Sequence, residues 1–337
     1  MFTTHQMNQT TDSLYIHNSS TTNSGSGVEK PAANIVPSIL FMTFGTLGNG
    51  LVLFLLCRFS AEHKWRPFYR FVLALSINDL LGFTFATPFG IARYITNFNF
   101  DFPDSLCSYI AFIHMFGILN SACIVLSMSL DRFIAIVFPF KYSTSLKDRR
   151  ANLLLLIGCV VSFLMSTIPL LAGRRSRRFY PGSWCFVDFK SDAWIDRGIS
   201  LAYASTGFII MCLVVVLNIS VIVTLVRQHC LTGNERKQQT AFRKKRKHLI
   251  VLMFAVVVLA VVCNVPLLIN VFARSLGILQ GMESFEVFGL RMAYVNNVLN
   301  PWVYILLRKE TVVFFQKFLR LQVCCKNRET STDSTAL

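Results

Sequence analysis

The sequence predicts an all-α membrane protein, a bundle of seven transmembrane helices followed by a short amphipathic eighth helix. Three observations predict it. Apolar residues make up 53% of the 337 residues and charged residues only 15%, a balance too apolar for a soluble protein of this length. Seven long runs are almost free of charge, and Lys and Arg are concentrated on one side of those runs.

The seven runs are the predicted spans, and each is long enough to cross roughly 30 Å of hydrocarbon as a helix at about 1.5 Å per residue. Numbered in chain order, they cover residues 35–56, 71–92, 106–130, 151–172, 198–226, 249–273 and 287–307. Asp79 and Arg291 are the only formal charges within them. A charge at mid-membrane costs at least about 2.5 to 3.5 kcal/mol. Both residues are therefore candidate functional residues.

The loop charges predict the orientation. Most of the 33 Lys and Arg lie between spans 1 and 2, 3 and 4, or 5 and 6, or after span 7, so this side is expected to be cytosolic. The domains are then an extracellular tail (1–33), the bundle (34–308), an amphipathic helix on the inner leaflet (309–323) and a cytoplasmic tail (324–337). We expect a multi-pass plasma-membrane protein. Contact with anionic lipid explains the net charge of +16, so no nucleic acid partner is expected.

The outer segments carry features of an oxidising compartment. The amino-terminal tail has glycosylation sequons at Asn8 and Asn18 and no evident signal peptide. Cys107 and Cys185 are the only cysteines placed outside, so we pair them in a disulfide. On the inner side, Cys324 and Cys325 follow the amphipathic stretch. They are candidates for palmitoylation, the alternative being an unmodified pair.

Three other classes of seven-span protein fit the spans less well. A transporter built from two related halves is disfavoured, because seven spans show no internal repeat. A retinal protein needs a lysine in the bundle, and the spans contain none. An intramembrane enzyme needs paired carboxylates or a Ser/His constellation, whereas the spans offer one acid, Asp79, and one histidine, His114. No catalytic residue is therefore assigned.

Ordered motifs identify the remaining class. They are "GNGLV" with Asn49, "LALSIND" with Asp79, Asp131-Arg132-Phe133 after span 3, Pro266 in span 6, and Asn300-Pro301-x-x-Tyr304 in span 7. Together they resemble the rhodopsin-like (class A) G-protein-coupled receptors over nearly the whole chain. The stretches "YPGSWCF" (Tyr180 to Phe186) and "RMAYVNNVLNPWVYILLRK" (Arg291 to Lys309) resemble the prostanoid receptors in particular, and among them those for prostaglandin E.

The resemblance implies a prostanoid receptor, with prostaglandin E as the first candidate, that activates a heterotrimeric G protein, Gs being favoured, and raises cAMP. In the prostanoid receptors the arginine, tyrosine and loop hydroxyl matching Arg291, Tyr94 and Ser183 bind the ligand carboxylate. We place Arg291 about 6 Å below the outer edge as the fifth residue of span 7. Two alternatives stay open: a class A receptor for another acidic lipid, and a lipid-binding membrane protein that does not signal.

Each proposed pocket residue also has a structural interpretation. Arg291 could extend to the lipid headgroups, Tyr94 could belong to the interfacial aromatic belt, and Ser183 could only shape its loop. Trp184 is interpreted as a packing residue first and a ligand contact second. The run from Arg174 to Arg178 is interpreted as a solvated cluster, the alternative being a positive vestibule for acidic lipid.

The chain departs from the prostanoid pattern at three positions. Asn300 stands where these receptors generally have Asp, Gly90 replaces a small hydroxyl residue, and Tyr294 replaces a small residue one turn below Arg291. His114 occupies the position where amine receptors carry Asp, which argues against a cationic ligand. We interpret His114 as a hydrogen-bonded core residue.

The cytosolic half is predicted to carry the signal. Asp79, Ser121 and Asn300 resemble the class A sodium pocket, so Na+ at Asp79 is the only expected cofactor, with a protonated, hydrogen-bonded Asp79 as the alternative. Arg132 is expected to leave Asp131 and meet the G protein. Arg246 stands where an acidic residue often restrains that arginine, so no such lock is expected. Receptor kinases, arrestin and a PDZ protein are expected partners of the tail.

Overall fold

A computed structural model describes residues 34–58, 66–139, 142, 146–231, 240–279, 281 and 283–307, with only the backbone described at 229–231, 240–253 and 306–307. Several predictions lie outside the described residues. These are the sequons at Asn8 and Asn18, the amphipathic helix 309–323, Cys324 and Cys325, the side chain of Arg246 and the cytoplasmic tail.

All seven predicted spans are helical. Their helices are Val36–Arg58 (span 1), Pro67–Phe85 and Thr87–Ile95 (span 2), Asp104–Val137 (span 3), Leu146–Leu171 (span 4), Trp194–Leu231 (span 5), Thr240–Ser275 (span 6) and Glu283–Leu307 (span 7). Among the described residues, the helices of spans 1 to 6 are long and apolar enough to cross a membrane by length and composition. The span 7 helix is not among them, because Arg291, Asn296, Asn297 and Asn300 interrupt its apolar run.

Span 3 lies at the centre of the bundle. It contacts spans 2, 4, 5 and 6, while span 1 packs against spans 2 and 7. Tyr203 of span 5 is fully buried and donates a hydrogen bond to the Met115 carbonyl of span 3 at 3.0 Å. The buried apolar side chains form three clusters. One lies around the middle of span 3 with the hairpin and spans 5, 6 and 7, a second lies where spans 1, 2 and 7 meet, and a smaller third surrounds Cys107 and Cys185.

Span 2 is broken near its outer end. The first helix ends at Phe85, Ala86 adopts a non-ideal conformation (φ −115°, ψ −46°), and the second helix begins at Thr87. Pro88 follows at once, and a proline has no N–H to donate to the carbonyl four residues back. The break redirects the last turns of span 2, which carry Gly90 and Tyr94.

A short β-hairpin follows span 4, in the loop between the helices of spans 4 and 5. Strands β1 (Arg177–Phe179) and β2 (Trp184–Phe186) pair antiparallel, with Arg178 opposite Cys185. Strands of three residues are too short to show the alternation that identifies a strand in sequence. Cys185 forms a disulfide with Cys107 at the start of span 3, which confirms the predicted pair and anchors the hairpin over the bundle.

The arginine run is a solvated charge cluster in which each arginine has an acidic partner. Arg174, Arg175, Arg177 and Arg178 are paired with Asp196 (2.5 Å), Asp104 (3.0 Å), Asp188 (3.4 Å) and Asp101 respectively. The hydrogen bond from Arg178 holds the pKa of the Asp101 carboxyl below its usual range. The run therefore ties the hairpin to spans 3 and 5 and to the neighbouring loops.

Candidate functional site

A cleft lies at the outer end of the bundle, between spans 1, 2, 3 and 7 and the hairpin. It contains about 580 Å³ of empty space, and Arg291, Tyr94, Ser183 and Trp184 all line it. Apolar side chains form much of its remaining wall: Pro37, Phe41, Val287 and Leu290. The structure thus brings together, from three separate segments, all four residues predicted for the pocket.

Arg291 lies eight residues after Glu283, where the span 7 helix begins, or about 12 Å along the helix axis. The helix begins four residues before the predicted span, and Glu283 and Glu286 lie in its first turn, where acidic residues are favourable. Among the described residues, no carboxylate lies within 4.0 Å of the Arg291 guanidinium. Arg291 is therefore a cation that lines the cleft with no ion-pair partner in the part of the chain that the structure describes.

Tyr94 and Ser183 meet above the same cleft. The Ser183 hydroxyl donates a hydrogen bond to the Tyr94 hydroxyl at 3.4 Å, and the Tyr94 ring packs edge-on against Phe98. The disulfide at Cys185, two residues on, fixes the position of Ser183. These two hydroxyls and the guanidinium supply the donors that a carboxylate needs, although each is held by a different element.

Trp184 is a packing residue in this structure. Its ring is 3% exposed and stacks on Phe179 with ring centroids 4.9 Å apart. Its indole nitrogen donates to the Tyr180 carbonyl at 2.8 Å. The tryptophan stabilises the hairpin and reaches the cleft only as part of its wall.

Gly90 lets the hairpin approach span 2. A Cβ atom at this position would lie 2.8 Å from the backbone carbonyl oxygen of Ser183. Any side chain there would push the hairpin turn away. The absence of the hydroxyl residue expected at position 90 therefore has a steric reason.

We expect Gly90→Ala to destabilise the protein by about 1 to 3 kcal/mol, the usual cost of overpacking a tight contact. The measurement is the apparent melting temperature of the purified protein in detergent. Gly82→Ala is the matched control in the same span, because a Cβ at Gly82 meets no atom within 4 Å. Equal melting temperatures for the two variants would contradict the contact.

His114 and Tyr294 form the inner boundary of the cleft. His114 Nδ1 lies 3.0 Å from the Cys185 carbonyl oxygen and Nε2 lies 2.8 Å from the Tyr294 hydroxyl. A carbonyl only accepts, so Nδ1 carries the hydrogen and Nε2 of the neutral ring accepts from Tyr294. Both ring nitrogens are satisfied, which agrees with the interpretation of His114 as a core residue.

A buried ion cluster joins spans 6 and 7 to the hairpin segment. The Glu286 carboxylate is fully buried and lies 2.8 Å from Arg274 and 2.8 Å from Lys190. The sequence interpretation missed it because Arg274 and Glu286 fall just outside the predicted spans 6 and 7. The opposite charges of Arg274, just after span 6, and Glu286, just before span 7, were the sequence signal that could have predicted this ion pair.

Farther in, the predicted polar core is assembled. Asp79 is fully buried and accepts hydrogen bonds from the Asn300 and Asn78 side-chain amides, each at 3.3 Å. Ser121 is buried as well, and its hydroxyl has no hydrogen-bond partner among the described residues. The structure therefore brings Asp79 and Asn300 together and leaves Ser121 unengaged.

At the end of the bundle opposite the cleft, Arg132 and Asp131 form an ion pair of 3.5 Å. Sequence analysis missed Tyr142, whose hydroxyl donates to Asp131 at 3.1 Å. Burial, assisted by the Asp131 charge, raises the pKa of Tyr142 to about 12, so the phenol stays a donor. Pro301 lies inside the span 7 helix, and Tyr304 is buried with its ring 6.3 Å from that of Phe68.

Comparisons with known proteins agree with this arrangement. Residues 48–304 match the family described as 7 transmembrane receptor (rhodopsin family). The mouse prostaglandin E2 receptor EP4 subtype is 28% identical over 317 residues, covering 81% of this chain and 61% of that receptor. The human prostacyclin receptor is 32% identical over 303 residues, covering 86% and 75%. The mouse prostaglandin E2 receptor EP2 subtype is 28% identical over 331 residues, covering 88% and 86%. The chain spans less than two thirds of the EP4 receptor's length.

Proposed function

Because this chain belongs to the rhodopsin family of seven-transmembrane receptors, we propose that it is a receptor for a prostanoid, with prostaglandin E as the first candidate. The relatives named for prostaglandin E2 and prostacyclin support this ligand class. The observation that carries it is the Arg291 guanidinium, which lines the cleft without a neighbouring carboxylate among the described residues.

The carboxylate of the ligand is proposed to bind Arg291, with Tyr94 and Ser183 completing the donor set. A guanidinium can bind a carboxylate through two parallel hydrogen bonds, and a cation in a cleft walled by apolar side chains favours an anion over a neutral group. The hydroxyls of Tyr94 and Ser183 already contact each other across the rim. The apolar wall then accepts the hydrocarbon chain.

Signalling is proposed to run through a heterotrimeric G protein, with Gs favoured and cAMP raised. The protein would lie in the plasma membrane with its amino terminus outside, as the loop charges support. Arg132 would leave its ion pair with Asp131 and contact the G protein. The Asp131 carboxylate, which also accepts a hydrogen bond from Tyr142, would then be released from the arginine. Receptor kinases, arrestin and a PDZ protein are proposed partners of the tail.

A sodium ion at Asp79 is compatible with the residues present. Hard cations take oxygen ligands, and Asp79 is a buried carboxylate with no cationic side chain bonded to it among the described residues. The Ser121 hydroxyl and the Asn300 amide oxygen are buried without hydrogen-bond partners in the part of the chain that the structure describes. The ion would provide a cationic partner for the Asp79 carboxylate, whose described hydrogen-bond partners are neutral amides.

A cAMP assay of cells expressing the receptor, tested with a panel of prostanoids and other acidic lipids, separates the candidates. We expect a potent response to at least one prostanoid, prostaglandin E2 first. A response confined to other acidic lipids would assign a different ligand, and specific binding without second messengers would identify a non-signalling lipid-binding protein.

Basal activity is a separate prediction. Since Arg246 replaces the acidic residue that often restrains the arginine after span 3, the inactive state is expected to be weakly held. Cells without ligand should show raised basal second messenger, and Arg246→Glu should lower it. Arg246→Gln controls for loss of the positive charge alone. Unchanged basal signalling in Arg246→Glu at equal surface expression would count against the prediction.

A further inference from the structure

A second cavity lies directly beneath the cleft. It contains about 350 Å³ of empty space between spans 2, 3 and 7, and it shares His114, Leu290 and Tyr294 with the cleft above. Gly82 and Gly117 also line it, and a Cβ atom at either glycine would meet no atom within 4 Å. We call it the lower cavity.

His114 and Tyr294 are bonded to each other across the boundary between the two spaces. Their 2.8 Å hydrogen bond connects span 3 with span 7. The Tyr294 ring is stacked against Phe41 of span 1 and packs against Phe83 of span 2, with centroid distances of 6.0 and 5.9 Å. The other nitrogen of His114 is fixed by the Cys185 carbonyl of the hairpin. The boundary therefore joins five elements: spans 1, 2, 3 and 7 and the hairpin.

We propose that His114 and Tyr294 form a partition that determines how deep a ligand chain can enter the bundle, and hence which chain length of acidic lipid the receptor accepts. Tyr294 lies only three residues after Arg291, about 4.5 Å farther along the helix. A chain whose carboxylate binds Arg291 meets the partition almost at once. The lower cavity receives a chain only when the partition opens.

The lower cavity also adjoins the polar core. Asn78 lines it, donates to the Gly117 carbonyl at 2.9 Å and to the Asp79 carboxylate at 3.3 Å. A chain that passed the partition would therefore touch a residue bonded to Asp79. The partition therefore separates the cleft from the hydrogen-bond network of Asp79, where a sodium ion is proposed to bind.

The partition can be tested without any lipid ligand. Gly117→Cys places a thiol in the lower cavity, and Val287→Cys places one in the cleft above. The rate of labelling with methyl methanethiosulfonate, after subtraction of the rate for the parent receptor, should be at least about tenfold slower for Gly117→Cys than for Val287→Cys. Opening the partition breaks one buried hydrogen bond, whose free energy corresponds to about this ratio. Adding Tyr294→Ala should remove most of this difference and leave Val287→Cys unchanged.

His114→Ala opens the partition from the opposite side, so the test survives if Tyr294→Ala fails to fold, as judged by surface expression. Equal labelling of Gly117→Cys and Val287→Cys in the parent receptor would overturn the partition. So would slow labelling of Gly117→Cys that neither opening variant accelerates.

The consequence for ligands rests on the proposed function and has its own test. Prostaglandin E2 is compared with an analogue lengthened by two methylenes at the end away from the carboxyl. Tyr294→Ala should raise the affinity for the longer analogue relative to prostaglandin E2 by about tenfold, as expected for two newly buried methylenes. An unchanged ratio would refute the role in chain length. If the parent receptor binds neither compound, the proposed function fails, while the labelling result still decides the partition.

Discussion

Arg291→Ala is expected to weaken binding of the free-acid prostanoid by roughly two to three decades, which corresponds to about 3 to 5 kcal/mol. The substitution leaves the ligand carboxylate in an apolar cleft without a cation, because no other cationic side chain lines it. Arg291→Lys should restore only part of the affinity, since an ammonium group cannot form the two parallel hydrogen bonds of a guanidinium. Competition binding on membranes at matched receptor density measures both variants.

A change on the ligand provides the control for this prediction. The methyl ester of the same prostanoid lacks the anion, so it should bind the parent receptor weakly and Arg291→Ala nearly as well. The double-mutant cycle formed by ester and mutation should then give a large coupling energy. If the ester lost as much affinity as the acid on mutation, Arg291 would be a structural residue and its assignment to carboxylate binding would be wrong.

Arg274→Met is expected to destabilise the receptor by about 3 kcal/mol, the lower end of the range for breaking a buried ion pair. The Glu286 carboxylate would stay fully buried and keep only Lys190, whose side chain is 19% exposed. Combining Arg274→Met with Glu286→Met should recover most of the stability, because an apolar pair of similar size removes both buried charges. The apparent melting temperature in detergent reports the effect.

Arg175→Met is the matched control for the buried cluster. Its pair with Asp104 is solvent-exposed, with side-chain exposures of 85% and 71%, and exposed pairs contribute about 0 to 1 kcal/mol. Arg274→Met should therefore lower the melting temperature by clearly more than Arg175→Met. Similar shifts for the two variants would mean that the Glu286 cluster stabilises the bundle no better than a surface pair.

The membrane spans and the class of protein could be predicted because they depend on local composition. A span needs a fixed number of apolar residues to cross the hydrocarbon, and those residues are contiguous in sequence. The Cys107 and Cys185 pair was also predictable, since the other cysteines fall in spans or on the cytosolic side. The span 7 helix begins at Glu283, four residues before the predicted span, and includes Glu286.

By itself, then, the sequence determined the membrane bundle and the disulfide, since these follow from composition and from the positions of the cysteines. The four pocket residues came from a resemblance to the prostanoid receptors, and their role in binding stays a prediction. Only the tertiary structure decided which charges and hydroxyls meet. His114 and Tyr294 are 180 positions apart, and Asp79 and Asn300 are 221 apart. Such contacts depend on how each helix is rotated and how far it extends. Neither property can be predicted from a short stretch of sequence, because both arise from the packing of all the helices together.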